Sequence, residues 1–563
     1  MVERNISNKG KGEKRLIGVA WPYVNGELHI GHMAGYLLPA DIYARYSRLK
    51  GNDVLMVSGS DCHGTPITVE ADQKGVSPKE IADHYHKIDQ DLLINTLNLS
   101  YDIYTRTDSS NHEQEVQKIF TTLLKKGYVY IDSQEQYYSP EEERFLPDRY
   151  VEGVCGHCRY KDARSDQCDN CGQLLDKDTL LNPLSKLSGE PVSLKETEHY
   201  FVNWEKLQPD IERYVSEKGP QWKKWVYKET KGWLKRGLSP RAVTRDMNWG
   251  VRIPTNDIPD DMRLENAENK RIYVWFDAVV GYLSASKLWS KEGGGDWKSY
   301  WYNKNAKHSY FMGKDNLVFH TIFWPGQLIG YDENLHLPDQ PSINMFLNHD
   351  GKQFSKSRGE SITIEDMVKN YGNDTLRFYL TQIMPENKDS SFRWNDFKEK
   401  VNGDLVGNFG NYIHRVLSIG RGSNIQAISN NQLSEPVVKV VERAYEKSEN
   451  HLENYEFRNY LDSLLSITAF GNIYFNRHRV WEKKHNGDSQ YFQHLKDLYY
   501  LILTSGQLMR PLMPESSDKL YSMLRVNRPE LWPNNPQELE NYESLIGTID
   551  TSVKPTPLFK KLD

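Results

Sequence analysis

The sequence predicts an α/β fold on a parallel sheet, interrupted by a cysteine-bearing insert and followed by an all-α unit. Three observations carry this. Strand-type runs alternate with helical periodicity near the N-terminus and again beyond residue 270, four of the five cysteines fall within 155–171, and strand signals nearly vanish from about residue 398. A chain of 563 residues exceeds what one hydrophobic core supports, so several domains are expected.

In order along the chain, Leu16–Ala20 is a short apolar run of strand type. A turn rich in Pro, Asn and Gly follows at 21–26, and Met33, Leu37, Leu38, Ile42, Tyr46 and Leu49 then recur at helical spacing. Gly51 stands where a helix C-terminus favours glycine, and Asp53–Val57 is the next strand. Strand, helix and strand at this spacing make a βαβ unit of Rossmann type, whose ligand belongs at the carboxyl ends of its strands. From 128 to 242 the texture turns to Tyr, charge and cysteine in short alternating runs, which reads as an insert. The α/β texture returns with candidate strands at Ile272–Phe276, Ser309–Met312 and Ile343–Leu347, and with helical periodicity in Leu317, Phe319, Ile322, Phe323 and Leu328. Leu405, Val406, Phe409, Tyr412, Ile413 and Val416 open a run of helices. The expected division is therefore 1–127 and 243–397 for the two halves of the α/β domain, 128–242 for the insert and 398–563 for a helical bundle.

Composition excludes some classes. A net charge of −6 rules out a uniformly basic surface, so a nucleic-acid partner would have to meet local basic patches. No apolar run approaches the length of a membrane span, and the polar start MVERNISNKGKGEKR is unlike a secretory signal. Five cysteines, four of them clustered, are too few for a disulfide framework. A soluble cytoplasmic protein without a membrane partner is the expectation.

The cysteines read Cys155-x2-Cys158-x9-Cys168-x2-Cys171, two CxxC turns able to present four thiolates to one tetrahedral Zn²⁺. With all four ligands from the chain such a site is closed, hence structural. A redox dithiol would lack a thioredoxin-like setting and leave the second pair unexplained.

Two further stretches carry chemistry. His29-Ile30-Gly31-His32 falls between the first strand and its helix, where unsatisfied N–H groups favour an anion and two imidazoles can donate to phosphate oxygens. In isolation it reads equally as a helix cap and a surface histidine. The loop DGKQFSKSRG at 350–359 follows the last candidate strand and is, on its own, either a solvated turn or a clamp on a polyphosphate. In this order, on these elements, the two make a two-part grip on ATP.

The pair resembles the HIGH and KMSKS motifs of class I aminoacyl-tRNA synthetases. From about 16 to 530 the chain is similar to the methionyl-tRNA synthetase family, through AWPYVNGELHIGH, SGSDCHGTPI, LPDRYVEGVCGHC, TRDMNWGVRIP, YVWFDAVVGYLSA, GKDNLVFHTIFWP, FSKSRG and VNGDLVGNFGN. The resemblance implies a ligase that forms methionyl-adenylate from methionine and ATP, then passes the methionyl group to the terminal adenosine of methionine tRNA. It implies His29, His32, Lys356 and Arg245 as catalytic residues, and Asn25, Gly31, Asp315, Ser355, Lys356 and Ser357 around ATP, with Mg²⁺ sharing the phosphate charge. It places Asp61 at the methionine ammonium, and Trp21, Tyr23, Trp275, Ala278, Tyr282, His320 and Trp324 around the side chain, a ring-walled slot suited to a thioether. Asn411, Arg415 and Trp481 align with anticodon-reading positions, near the basic Arg477, His478, Arg479, Lys483 and Lys484.

The chain departs from the family at three points. Gln353 and Phe354 stand where lysine and methionine are usual, Trp21 stands where leucine is common, and the appended dimer-forming domain of many relatives is missing, which implies a monomer. Synthetases for Leu, Ile or Val carry a larger editing insert, and cysteinyl enzymes place zinc in the amino-acid pocket. A small-molecule nucleotidyltransferase needs no helical anticodon reader, and a relative without activity would not require both histidines and Lys356.

Overall fold

The first apolar run forms strand β1 (Lys14–Val19) in a computed structural model, which describes residues 12–563 apart from 148–149, 166–167, 169–170, 172–174, 176, 354–361, 487, 489 and 534. It is the centre of a sheet with β2 (Asp53–Ser60), β3 (Ile103–Arg106), β4 (Lys307–Gly313) and β5 (Gln340–Asn344), in the order β5-β4-β1-β2-β3 and parallel throughout. Both faces of the sheet are covered, which is why Leu16, Ile17, Leu55, Met56, Phe311 and Met312 have no exposed surface. The chain winds from β1 through β2 to β3 on one side and later through β4 to β5 on the other. The winding reverses between β1 and β4, and a crevice opens beyond their carboxyl ends.

The crossover from β1 to β2 is the helical run Ile30–Leu49, which includes a π-helical turn at Met33–Leu37 and stops at Lys50 and Gly51, the latter with φ +79. A second π turn, Phe319–Phe323, follows β4. π turns widen a helix locally and recur at functional sites. These two flank the crevice.

Two expected strands differ. Ile272–Phe276 divides into a short strand, Lys270–Ile272, antiparallel to Thr244–Asp246 and Val251–Arg252, and a helical turn, Val274–Asp277. An apolar run of this length fits a strand or a helix, and the alternate burial of Val274 and Phe276 around exposed Trp275 is itself strand-like; the backbone sets the helical turn, with the Asp277 N–H donating to the Tyr273 carbonyl at 3.2 Å. Likewise β5 ends at Asn344, where Met345 and Phe346 leave the sheet, and Leu347–His349 starts a separate small sheet.

Between the halves, Val129–Ser139 pairs antiparallel with Ser193–Val202, and a three-stranded sheet of Val151–Cys155, Ala163–Arg164 and Leu180–Ser185 carries the cysteine turns. Helices Trp204–Lys218 and Lys224–Arg236 then pack onto the α/β body: Trp204 lies 4.7 Å from the Phe323 ring, and the Trp222 indole N–H donates to the Asp339 carbonyl at 2.8 Å. The stretch WKKWVYKETKGWLKR thus buries Trp222, Val226 and Leu234 and turns Lys228, Lys231 and Lys235 outward.

From Trp394 onward the described residues form helices, including Asn411–Gly420, Glu435–Glu453, Phe457–Arg477 and Gln490–Leu508. The fully buried Arg377–Asp41 pair, 2.7 Å apart, ties helix Asn373–Gln382 to the first crossover helix, and Arg377 also donates to the Leu512 and Pro511 carbonyls. No helix among the described residues is long and apolar enough to cross a membrane.

Candidate active site

The crevice between β1 and β4 holds a cavity of about 350 Å³. Its floor is the segment leaving β1, Ala20–Tyr23, and one wall is the turn His29–His32 with Gly35 and Tyr36 behind it. The opposite wall is Val274, Trp275, Ala278, Val279 and Tyr282 together with Asn316, Phe319 and His320. Gly313, Asp315 and Met345–Leu347 close the third side.

At the His29 turn both imidazoles accept from backbone N–H groups. His29 Nδ1 accepts from the Gly31 N–H and His32 Nδ1 accepts from the His29 N–H, both at 3.1 Å, with the rings 3.9 Å apart. A nitrogen that accepts carries no proton, so the remaining proton of each ring sits on Nε2. The reciprocal cap therefore fixes two N–H donors at the start of a helix.

The described residues on either side of the 354–361 segment pair with neighbouring backbone, one side with this turn. Lys352–Gln353 pairs with Asn348–His349 on one flank; on the other, the Ile30 N–H donates to the Ile362 carbonyl at 3.1 Å and the Ile364 N–H to the Leu28 carbonyl at 3.1 Å. Ser355, Lys356 and Ser357 lie outside the described residues.

The amino-acid side of the cavity rests on close ring contacts. Trp21 is wedged between two glycines: a Cβ on Gly59 would meet the indole at 2.4 Å, and one on Gly281 at 2.7 Å. Tyr282 and His320 face each other, with the hydroxyl 2.7 Å from Nε2 and His320 Nδ1 3.0 Å from the Asn316 carbonyl. A carbonyl only accepts, so Nδ1 bears the proton and the Tyr282 hydroxyl donates to Nε2. Burial lowers the His320 pKa to about 4, keeping this wall neutral. Asp61, just beyond β2, is 4% exposed and turned into the cavity, and its carboxyl is pushed well up by burial and then by the charge of Asp277.

Of the residues expected at the site, His29, Gly31, His32, Trp21, Tyr23, Asp61, Trp275, Ala278, Tyr282, His320 and Asp315 line this one cavity. Trp324 lies behind it, fully buried and 6.4 Å from the Tyr282 ring. Asn25 falls in the turn after β1 and does not line it. Arg245 also stands off, with its guanidinium over the Tyr273 ring at 4.3 Å and Tyr273 in turn 5.4 Å from Trp275 at the rim. Tyr36 and Phe319 were not anticipated. Tyr36 lies one helical turn beyond His32, a spacing that could have found it; Phe319 is hidden in an apolar run.

The four insert cysteines converge. Their Sγ atoms lie within 4.8 Å of one another, with Cys155–Cys171 at 3.8 Å and Cys158–Cys168 at 3.6 Å. Four thiolates around a tetrahedral Zn²⁺ with bonds of about 2.3 Å stand about 3.8 Å apart, so the donor set fits that ion.

In the helical part, Arg415 and Trp481 meet on one side chain: the guanidinium lies 4.5 Å over Phe475 and the indole 5.5 Å from the same ring, while Arg415 donates to Asn476 Oδ1 at 3.0 Å. Asn411 is exposed one turn before Arg415.

Comparison with known proteins agrees with this layout. The family described as tRNA synthetases class I (M) matches residues 15–417, and that described as Anticodon-binding domain of tRNA ligase matches 437–554. The methionine–tRNA ligase of Chloroflexus aggregans is 40% identical over 98% of this chain and 97% of its own length. That of Thermoplasma volcanium is 38% identical over 98% of each. In fold, the chain is similar to Mycobacterium tuberculosis methionyl-tRNA synthetase in complex with methionyl-adenylate, with a TM-score of 0.76 at 22% identity over 97% of this chain and 100% of that one. The chain belongs to the methionine–tRNA ligase family of the class I tRNA synthetases.

Proposed function

We propose that the chain activates methionine with ATP, releasing pyrophosphate, and transfers the methionyl group to the 3′-terminal adenosine of methionine tRNA. The observation that carries this reading is one cavity at the sheet's switch point, with phosphate-type donors on one wall and a neutral aromatic slot ending at a carboxylate on the other. A zwitterionic amino acid with an uncharged, soft side chain suits that slot.

In the reaction the methionine carboxylate attacks the α-phosphorus in line with the leaving pyrophosphate, so catalysis is positioning and charge stabilisation. The Nε2–H groups of His29 and His32 donate to phosphate oxygens as charge develops, and Gly31 lets the nucleotide approach the backbone. Lys356, flanked by Ser355 and Ser357, supplies a point cation to the leaving phosphates. Asp315 receives the ribose, Asp61 the α-ammonium, and Asn25 supports the turn beside the nucleotide. Arg245 reaches the reacting groups past Tyr273 and Trp275. Bound Mg²⁺ would share the polyphosphate charge. Zinc held by Cys155, Cys158, Cys168 and Cys171 would be structural, since the four thiolates leave no open position. Asn411, Arg415 and Trp481 read the anticodon by hydrogen bonding and stacking. The same reading has the chain acting in the cytoplasm as a monomer, which sedimentation of the purified protein checks.

The test is ATP–pyrophosphate exchange with each of the twenty amino acids. Exchange with methionine alone supports the reading, and exchange with leucine but not methionine defeats it.

A further inference from the structure

Three motifs meet behind Asp61 in an arrangement that the reaction scheme leaves unused. The His63 imidazole lies with Nδ1 2.9 Å from Asp277 Oδ2, joining the turn after β2 to the helical turn Val274–Asp277 in the cavity wall. His63 is 6% exposed and Asp277 is fully buried. Trp249 covers the pair: its ring stands edge-on to His63 at 5.6 Å, and its indole N–H donates to the Cys62 carbonyl at 2.6 Å. Asp61 Oδ1 and Asp277 Oδ1 are both buried without a hydrogen-bond partner among the described residues.

Two buried carboxylates that feel each other's charge compete for protons. Burial and the charge of Asp277 push the Asp61 carboxyl up, while burial pushes that of Asp277 up and His63 opposes the shift. If both acids were unpaired they would share one proton, and Asp61 would lose the charge that an ammonium needs. No lysine or arginine among the described residues lines the cavity to relieve this. The remaining charges near His63 are spoken for: Asp108 is paired with Arg106, and burial holds His112 neutral at a pKa of about 3.

We propose that His63 is a positioning residue for substrate recognition: its hydrogen bond to Asp277 occupies that carboxylate and keeps it from competing with Asp61, leaving Asp61 to receive the α-ammonium of the amino acid. The proposal rests on the assignment of Asp61 made above. It explains why a histidine and an aspartate from the turn after β2 are buried with an aspartate more than two hundred positions away, beside a cavity for a cationic group.

The test measures methionine KM and kcat in ATP–pyrophosphate exchange for Asp61→Asn, His63→Gln, Asp277→Asn and His63→Gln with Asp277→Asn. His63→Gln is expected to raise methionine KM about tenfold or more while kcat and ATP KM change far less, because an uncompensated Asp277 competes with Asp61. Removing that charge as well restores methionine KM to within about threefold of the unsubstituted protein. A double variant as weak for methionine as His63→Gln overturns the proposal, since His63 would then act through shape. Should His63→Gln fail to fold, the double variant decides alone: near-normal methionine KM supports the proposal and a KM raised about tenfold overturns it. Asp61→Asn separates the two levels. An unchanged methionine KM there defeats the assignment of Asp61 itself, whereas a raised KM without rescue in the double variant defeats the role of His63.

Discussion

The Tyr282 hydroxyl donates to His320 Nε2 at 2.7 Å, and this bond fixes the character of the amino-acid slot. With Nδ1–H committed to the Asn316 carbonyl, the histidine is neutral and oriented at both nitrogens. Tyr282→Phe removes the donor and strands a buried acceptor, a loss of about 1–3 kcal/mol. Methionine KM is expected to rise about tenfold with ATP KM unchanged; equal changes in both would place the effect elsewhere. The same histidine makes stability depend on pH. Its folded pKa of about 4 lies below the ordinary value of 6.5, so the folded state takes up its proton later than the unfolded chain as pH falls. Stability is full above pH 6.5 and is lost between there and pH 4, by about 3 kcal/mol for this residue. Buried His308, at about 3, adds to the same loss. Denaturant titrations at pH 7 and pH 5 of the unsubstituted protein and of His320→Gln check the sign, the comparison cancelling buried carboxyls such as Asp61 and Asp374 that act in the opposite direction; a variant that loses as much stability on acidification as the unsubstituted protein would refute it.

Trp21 occupies room that exists because residues 59 and 281 have no side chain. Gly281 opens the helix Gly281–Lys291 with ordinary helical angles, so alanine there is strained by contact alone. Gly281→Ala is expected to cost about 1–3 kcal/mol and to displace the indole into the slot, raising methionine KM. Trp21→Leu in the same chain should recover the stability, since the smaller side chain vacates the overlap. Thermal melts of the two single variants and the double close this cycle, and strict additivity would rule out the contact.

The sheet's central strands were legible because burial on both faces leaves unbroken apolar runs, as in Leu16–Ala20 and Ser309–Met312. The same rule misread Ile272–Phe276, where a helical turn of four residues is too short to show its period. Site residues carried by a motif were legible: the spacing of His29 and His32 encodes the reciprocal cap, and the cysteine spacing encodes the convergence of four sulfurs. What spacing did not carry was depth. Trp324 has the same residue type as the rim residue Trp275 but is fully buried, while Trp275 is 45% exposed, and that difference arises from packing between distant segments. The His63–Asp277 pair, separated by more than two hundred positions, was equally out of reach.

The cysteine-bearing sheet has little else to hold it. Its own buried cluster is Leu146, Tyr150, Val151, Cys155, Ala163, Cys168, Leu175 and Leu180, two of them metal-type ligands. So small a core is marginal without a staple. Chelation, or Cys158→Ser, is expected to abolish amide-exchange protection over Val151–Ser185 and to release one zinc. The four cysteines do not line the cavity, so methionine-dependent exchange should fall only a few-fold. Protection that survives complete metal removal would overturn this account.

Lys356 lies outside the described residues; of the residues that flank its segment, Lys352–Gln353 pairs with Asn348–His349, and Ile362 and Ile364 bond to the backbone of Ile30 and Leu28. As the cation assigned to the leaving phosphates, Lys356 is expected to act on the transition state more than on ground-state binding. Lys356→Ala should slow adenylate formation about a hundredfold or more, with methionine affinity unchanged. Because Gln353 replaces a lysine usual in the family, Lys352→Ala should slow it as well, though less. Stopped-flow formation of the adenylate tests both, and an unchanged rate for Lys356→Ala refutes its role.

Phe475 supports Arg415 and Trp481 together, which makes the proposed anticodon surface a single unit. Phe475 is buried while Asn476 and Arg477 beside it are exposed, so the ring is the base on which the proposed reading groups Arg415 and Trp481 stand. Stacking of an unpaired base on an aromatic ring contributes about 1–3 kcal/mol. Trp481→Ala is therefore expected to lower kcat/KM for aminoacylation of methionine tRNA about tenfold or more, leaving ATP–pyrophosphate exchange intact. Phe475→Ala should act in the same direction, because it lets Arg415 and Trp481 move apart. Measuring both reactions on each variant distinguishes recognition from folding: loss of exchange in proportion to aminoacylation would mean that the helical domain had been damaged as a whole.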